Sequence, residues 1–253
     1  MAHSTRLHSM TLHMSKPVRN ILWTGGFDST FRVCQILAES SDVIQPHYLV
    51  DETRGSTGEE IRAMSRIRAM AQQLWSETSD RLLPTEYAPA RGAPIPDDIR
   101  RAFKTIYSHK DIGTQYPWLA GYARRLERPL ELGIQGGGRI EKALGPHVHH
   151  GKLSATGKSE FDHAIWTLFE PFRFPIMHLS KTDMMQIADE NGFRSIMQET
   201  WFCHQPRAGK PCGRCAPCKY AIEQGMGWRI PFLRRIQHRS FWEGLGSKRR
   251  TSC

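Results

Sequence analysis

No stretch of this 253-residue chain approaches the roughly 18 consecutive apolar residues that would cross a bilayer. That sets aside a membrane-spanning helix and makes a soluble, cytoplasmic protein with no membrane partner the expectation. Cysteine is also scarce, with six in all, too few for a disulfide scaffold at this length. Residues Met1 to Lys16 contain three His and several Ser and Thr but no continuous apolar run, so they are expected to form a flexible extension rather than a secretory signal. No internal repeat is visible. Acidic residues are nearly missing from one region: Cys203 to Cys253 holds 2 Asp and Glu against 11 Lys and Arg, whereas the first 202 residues hold 23 against 24. The net charge of +10 therefore belongs almost wholly to the C-terminal fifth. Such an end suits a polyanion such as nucleic acid, a positive mouth for a nucleotide and an acidic substrate, or a solvated surface with no partner.

What is present is 39% hydrophobic residues, enough to bury one sizeable α/β core with a small appendage. The expected division is an extension over 1–16, an α/β domain over 17–198 and a C-terminal segment over 199–253. The chain is organised around Trp23-Thr24-Gly25-Gly26-Phe27-Asp28-Ser29-Thr30, which follows a strand-like run and opens an amphipathic stretch. Gly25 and Gly26 permit a tight turn, and Ser29 and Thr30 fall where helix N-terminal amides and hydroxyls converge on an anion. The loop is not the G-x-x-x-x-G-K-[ST] type, because no Lys follows the glycines. Asp28 would repel a bare phosphate, so it argues for a metal-bound nucleotide. An ordinary turn with an Asp near a helix N-cap is the plain alternative.

Further along, Ile44 to Val50 reads as a second strand. A helix then follows with Ile61, Met64, Ile67, Ala71 and Leu74 on one face. Arg81 to Tyr87 reads as a third strand, Pro89 to Pro96 as a loop, 97–112 and 115–126 as helices, and Pro129 to Ile134 as a fourth strand. Strand alternating with helix implies a parallel sheet. Ligands collect beyond the carboxyl ends of such strands, so loops 24–30, 51–58 and 135–139 are expected to face one crevice, with Gly136 to Gly138 allowing close backbone approach. His147 to His150 is a weak metal signal beside glycines that suggest a mobile loop. Ser180 reads as an N-cap and Asn191-Gly192 as a helix end.

Cys203, Cys212, Cys215 and Cys218 have the spacing C-x8-C-x2-C-x2-C. Two-residue spacers let the backbone wrap four thiolates around a tetrahedral Zn²⁺ at about 2.3 Å. All four positions come from protein, which fits a structural rather than a catalytic metal. Cys34 reads as a small buried hydrophobe and Cys253 is uninformative.

The glycine loop resembles the S-G-G-x-D-S signature of the PP-loop ATP pyrophosphatases, a Rossmann-like fold of the adenine nucleotide alpha hydrolase type, with Thr24 standing where Ser is usual. Coupled to the four cysteines, it resembles the 7-cyano-7-deazaguanine synthase family of the queuosine and deazapurine pathway. Glu199 to Cys203 looks like that family's T-W-S-C, Pro211 to Cys218 like its C-G-x-C-x-x-C, and Ile176 to Ile187 like its P-L-x-x-L-S-K-x-x-I.

The resemblance covers roughly 18–75 and 171–225. It implies a ligase-type enzyme that uses ATP and Mg²⁺ to adenylate the carboxylate of a deazapurine for attack by an amine, releasing AMP and pyrophosphate. It also implies that Thr24, Gly25, Gly26, Asp28, Ser29 and Thr30 hold the pyrophosphate end of ATP, with Asp28 and Ser29 taking part in catalysis. The middle departs from the family: Gly133 to Glu141 replaces its N-x-x-D-x-S-G-Y-P-D-C-R-like stretch, which puts the substrate in doubt. There Arg139 is the best-placed planar cation for a carboxylate, unless it only solvates the helix it opens. The expected partners are a small carboxylate or deazapurine, an amine donor, nucleic acid at the basic end, and a second copy in a homodimer. The alternatives are a tRNA-modifying PP-loop enzyme and a zinc-stabilised nucleic-acid-binding or nucleotide-sensing protein without turnover. The former is weakened because no Cys lies beside the nucleotide loops to carry sulfur.

Overall fold

The structure, a computed structural model, describes residues 16–154 and 157–236. The expected N-terminal extension apart from Lys16, the end of the basic tail and Cys253 lie outside the described residues. Strand β1 (Val18–Leu22) leads through the glycine turn into α1 (Phe27–Glu39), which buries Phe31, Val33, Cys34, Ile36 and Leu37. Next come β2 (Val43–Val50), α2 (Thr57–Leu74), the single turn α3 (Thr78–Arg81) and β3 (Glu86–Pro89). The middle holds α4 (Asp97–His109), α5 (Tyr116–Leu126), β4 (Leu130–Glu131) and α6 (Arg139–Leu144). A hairpin of β5 (Val148–His149) and β6 (Lys152–Leu153) precedes α7 (Glu160–Phe169) and β7 (Phe172–Arg173). The chain then continues through α8 (Lys181–Glu190), α9 (Arg194–Gln198) and α10 (Ala216–Glu223).

The strands form one sheet in the order β3-β2-β1-β4-β7-β6-β5, parallel from β3 to β7 and antiparallel through the hairpin. Period-two alternation gives the sheet two apolar faces. Ile21, Trp23, Ile44 and Tyr48 pack with residues of α1, α2, α8 and α9. Leu49, Leu130, Leu132, Phe172 and Phe174 pack with α4, α5 and α7. The expected α/β class with a mostly parallel sheet is the observed one. Chain order reverses between β2-β1 and β1-β4, so the switch point of the sheet lies between β1 and β4.

Four expectations about elements need correction. Arg81 does not start a strand: it is buried in α3, and its guanidinium donates to the carbonyls of Ile36, Leu37, Ser40 and Asp42, closing off the C-terminal end of α1. Pairing with β2 begins as a bridge from Leu82 to Ile44 and becomes a strand only at Glu86. The fourth strand keeps two of its six expected residues, because the chain turns at Gly133 onto α1. On α2, Leu74 is 44% exposed while Glu60 is buried. Glu60 is tolerated inside because Tyr48 Oη and Ser56 Oγ donate to its carboxylate at 2.9 and 2.6 Å. The His147–His150 tract, expected as a loop, forms a 3₁₀ turn and a hairpin, with His147 3.6 Å from Asp162. Ser180 does cap α8, in a capping box with Asp183.

Candidate functional site

The loop after β1 is shaped by two glycines with different duties. Gly25 has φ +67°, and a Cβ there would lie 3.0 Å from the Glu60 carbonyl, so the backbone conformation and the contact with α2 both require glycine. Gly26 is the N-cap of α1 and receives no side-chain cap. The loop is braced from within, by the Gly26 N–H donating to Thr24 Oγ1 at 3.3 Å and Ser29 Oγ donating to the Gly26 carbonyl at 3.4 Å. The bond from the Thr30 N–H to the Gly26 carbonyl closes the first turn of α1, leaving the N–H groups of Phe27, Asp28 and Ser29 ahead of it. This is the positive end of a 13-residue helix dipole, where anions are stabilised.

Asp28 sits inside this cradle with its Oδ1 shielded from solvent and without a hydrogen-bond partner among the described residues. Burial pushes its carboxyl up to about 6, against the opposing charge of Lys181. The Lys181 ammonium lies 5.5 Å from the Phe27 ring centroid and donates to Gln224 Oε1 at 2.9 Å. A desolvated carboxylate oxygen with an open valence is the chemistry a Mg²⁺ ion satisfies, so the residues present fit that cation.

The loop after β4 meets the loop after β1 at the switch point. A Cβ on Gly133 would stand 2.7 Å from the Ser29 nitrogen and 3.0 Å from the Asp28 carbonyl carbon, so only glycine lets the two backbones touch. Two residues on, Gln135 also has a buried side-chain oxygen with no partner among the described residues. Gly136 is held by its N–H to the Leu179 carbonyl at 2.9 Å, with no room for a Cβ beneath the Met177 carbonyl at 3.0 Å. The loop after β2 is tied internally: Asp51 accepts from the Thr53 N–H and Oγ1 at 3.1 and 2.6 Å and pairs with Arg91. Desolvation works against it, but these bonds hold the Asp51 carboxyl below the usual range.

Two expected site residues are engaged with other side chains. Thr30 is wholly buried and its hydroxyl accepts from the Trp23 indole N–H at 3.0 Å, so it braces α1 against β1. Arg139 opens α6, its side chain 65% exposed and paired with Asp111 at 2.7 Å.

The four cysteine sulfurs lie within 4.8 Å of one another, and among the described residues they are the group able to hold a metal ion. Separations of 3.8 Å for Cys203–Cys215, 3.5 Å for Cys215–Cys218 and 3.9 Å for Cys212–Cys218 bracket the roughly 3.8 Å edge of a tetrahedron with 2.3 Å metal–sulfur bonds. The N–H groups of Arg214 and Cys215 point at Cys212 Sγ and that of Cys212 at Cys203 Sγ, as thiolates require. Contacts from Cys203 and Cys218 pull the Cys215 thiol down and push their own up, a competition that one shared cation relieves. Gly213 makes the wrap possible with φ +76°.

This segment is docked on the glycine loop. The Trp201 N–H donates to the Gly25 carbonyl at 2.8 Å, and the Trp201 indole returns to the Cys203 carbonyl at 2.7 Å. Gly55, in the loop after β2, faces the His204 carbonyl and Pro206. Arg66 of α2 pairs with Glu199 at 3.0 Å. No spacing in the sequence announces the Trp201 link, because it is a backbone bond between segments 176 residues apart.

Together these features define a mostly parallel α/β protein with a glycine-rich turn and helix N-terminus at its switch point and a four-cysteine centre, able to hold a metal such as zinc, beside that turn. Residues 167–225 match the family model for queuosine biosynthesis protein QueC. The chain is thus similar, over that part of its length, to the PP-loop family that makes 7-cyano-7-deazaguanine, and the match takes in all four cysteines. No curated protein matches the chain.

Proposed function

We propose that the protein is a PP-loop enzyme that binds ATP at the 24–29 loop and activates a carboxylate or carbonyl oxygen of a planar substrate for attack by an amine, with release of AMP and pyrophosphate. The observation that carries this reading is the pair of buried, unpartnered oxygens, Asp28 Oδ1 and Gln135 Oε1, on the two loops that touch at Gly133. A cradle of helix N–H groups containing an unsatisfied carboxylate suits a phosphate chain carrying a divalent cation. It does not suit a bare anion. The partial likeness to the queuosine family supports the same class of enzyme.

Bound Mg²⁺–ATP supplies the adenylyl group and an electrophilic α-phosphorus. The chain's own contribution is positional. Gly25, Gly26 and the N–H groups of Phe27 to Ser29 orient the phosphates. Asp28 would hold the cation, and Thr24 and Ser29 keep the loop in shape. Lys181, facing Asp28, adds positive charge where negative charge builds on the leaving pyrophosphate. Arg139 is the cation offered to the acid substrate, in exchange for Asp111. Gln135 offers an acceptor to a substrate or amine N–H. The cysteine segment closes the site over Gly25 and contributes no reacting atom.

Sulfur transfer to RNA by the same loops is disfavoured, since Cys34 is wholly buried in α1 with its thiol pushed up by burial, and the remaining described cysteines are gathered in the cluster. The test is AMP and pyrophosphate formation by the zinc-loaded protein with 7-carboxy-7-deazaguanine and ammonium. Stimulation by that acid, lost in Asp28→Ala with the fold retained, is the expected result. ATP turnover that is unchanged in Asp28→Ala would remove the PP-loop assignment. Stimulation by a different planar acid alone would keep the reaction and change the substrate.

A further inference from the structure

Large apolar side chains that stand exposed are concentrated at one end of the described chain. Five of ten, namely Tyr220, Trp228, Phe232, Leu233 and Ile236, fall within residues 220–236. Trp228 is 61% and Phe232 62% exposed. An apolar group of this kind on a soluble domain marks a contact surface.

Its backbone is held rigidly. The guanidinium of Arg229 lies 4.9 Å from the Phe202 ring centroid and donates to the carbonyls of Gln198 and Thr200, pinning the turn that presents Trp228. Arg234 donates to the carbonyls of Arg207, Lys210 and Pro211, pinning the stretch that presents Phe232. The two stretches adjoin, because a Cβ on Gly227 would meet Arg235 Cδ at 3.3 Å, while the Arg235 guanidinium lies 5.4 Å from the Phe232 ring centroid. With the backbone pinned in this way, only side-chain torsions remain to be ordered when something stacks on these rings.

Charge identifies the occupant. Among residues 203–236 there are seven Lys and Arg and a single acidic residue, Glu223. The surroundings stay positive even after allowance for the two negative charges of a four-thiolate zinc centre. A second copy would bring the same sign and be repelled. Exposed aromatics beside arginines form the recognition surface of single-stranded nucleic acid, where bases stack on rings and phosphates face the cations.

We infer that this surface of the cysteine segment binds single-stranded nucleic acid, with Trp228 and Phe232 as stacking platforms and Arg235, Arg207 and Lys210 lining the backbone path. The inference goes beyond the small-molecule reading and does not depend on it, since binding and ATP turnover are read separately.

The test is fluorescence anisotropy of the zinc-loaded full chain with fluorescein-labelled 20-mers of oligouridine and oligothymidine over a salt series. Expected are an affinity that falls linearly in log–log with salt and a loss of about tenfold or more in Trp228→Ala/Phe232→Ala. That variant should keep its zinc content and its ATP turnover. Arg235→Ala should flatten the salt slope, and Trp166→Ala, on the remote helix α7, should change nothing. Comparing the two oligomers separates RNA from DNA. Absence of salt-dependent binding, or binding that ignores the paired aromatic substitution, overturns the inference. So does a surface that instead drives sedimentation as a dimer or retention on phosphatidylserine vesicles.

Discussion

The N–H of Trp201 donates to the carbonyl of Gly25 at 2.8 Å, which joins the segment that carries the four cysteines to the glycine turn ahead of α1. Gly25 is thereby enclosed from two sides, by Trp201 and by the Glu60 carbonyl, which stands where a Cβ would project. The cysteine centre is therefore expected to act at a distance on nucleotide affinity.

Zinc analysis of protein never exposed to chelator should find about one ion per chain. Chelation or Cys215→Ser should unfold the 199–236 segment, since the binding energy of such a site is folding energy of order 10 kcal/mol. Affinity for ATP should drop with it, as read by calorimetry. An ATP affinity that survives complete removal of the metal would mean that the Trp201 contact does not shape the loop.

Gly133→Ala should be far more damaging than its chemistry suggests. The new methyl would lie 2.7 Å from the Ser29 nitrogen and 2.9 Å from its Cα, both backbone atoms that can move only if the start of α1 moves. We expect a loss of about 1–3 kcal/mol of stability together with a sharp loss of ATP binding. Gly137→Ala is the internal control: it meets nothing within 4 Å and has only φ +78° to contend with, so it should cost about 1–2 kcal/mol and leave ATP binding intact. Equal effects of the two on nucleotide affinity would contradict the contact.

The pH dependence of stability should carry the signature of Asp28. Burial raises its folded-state pKa to about 6, above an unfolded value near 3.9. Because the folded form holds this proton more tightly, the contribution to stability is complete below about pH 4 and is lost as pH rises through about 6. Asp28→Asn, which never ionises, should gain on the parent protein over that window by on the order of 2–3 kcal/mol. Urea midpoints at three pH values without Mg²⁺ measure it. A difference that does not vary with pH would deny that the carboxylate is desolvated.

Arg139 and Asp111 offer a paired test of the acid-binding role. Arg139→Lys should lower substrate-dependent AMP release at least tenfold, because an ammonium cannot reproduce a planar two-bond grip. Asp111→Asn should lower KM, by removing the carboxylate that now holds the guanidinium at 2.7 Å. If neither substitution alters KM or turnover, the ion pair is an exposed surface contact worth little, and the acid is gripped elsewhere.

The glycine turn and the cysteine cluster were legible in the sequence because each is short in sequence and its geometry is local. Thr24 to Ser29 must turn where the glycines sit, and C-x2-C spacers bring sulfurs together whatever the rest of the chain does. The alternation of strand and helix was legible for the same reason, since periods of 2 and 3.6 are written residue by residue. Tertiary structure decided what depends on partners distant in the chain. Glu60 lies inside only because Tyr48 and Ser56 reach it, Arg81 left the expected strand to close the end of α1, and β4 shrank where Gly133 folds onto Ser29. The Thr30 hydroxyl meets Trp23 because packing of α1 on β1 fixes the helix rotation, and Trp201 reached Gly25 through backbone atoms that every residue shares. Contacts of these kinds leave no pattern in residue type, so only the folded chain records them.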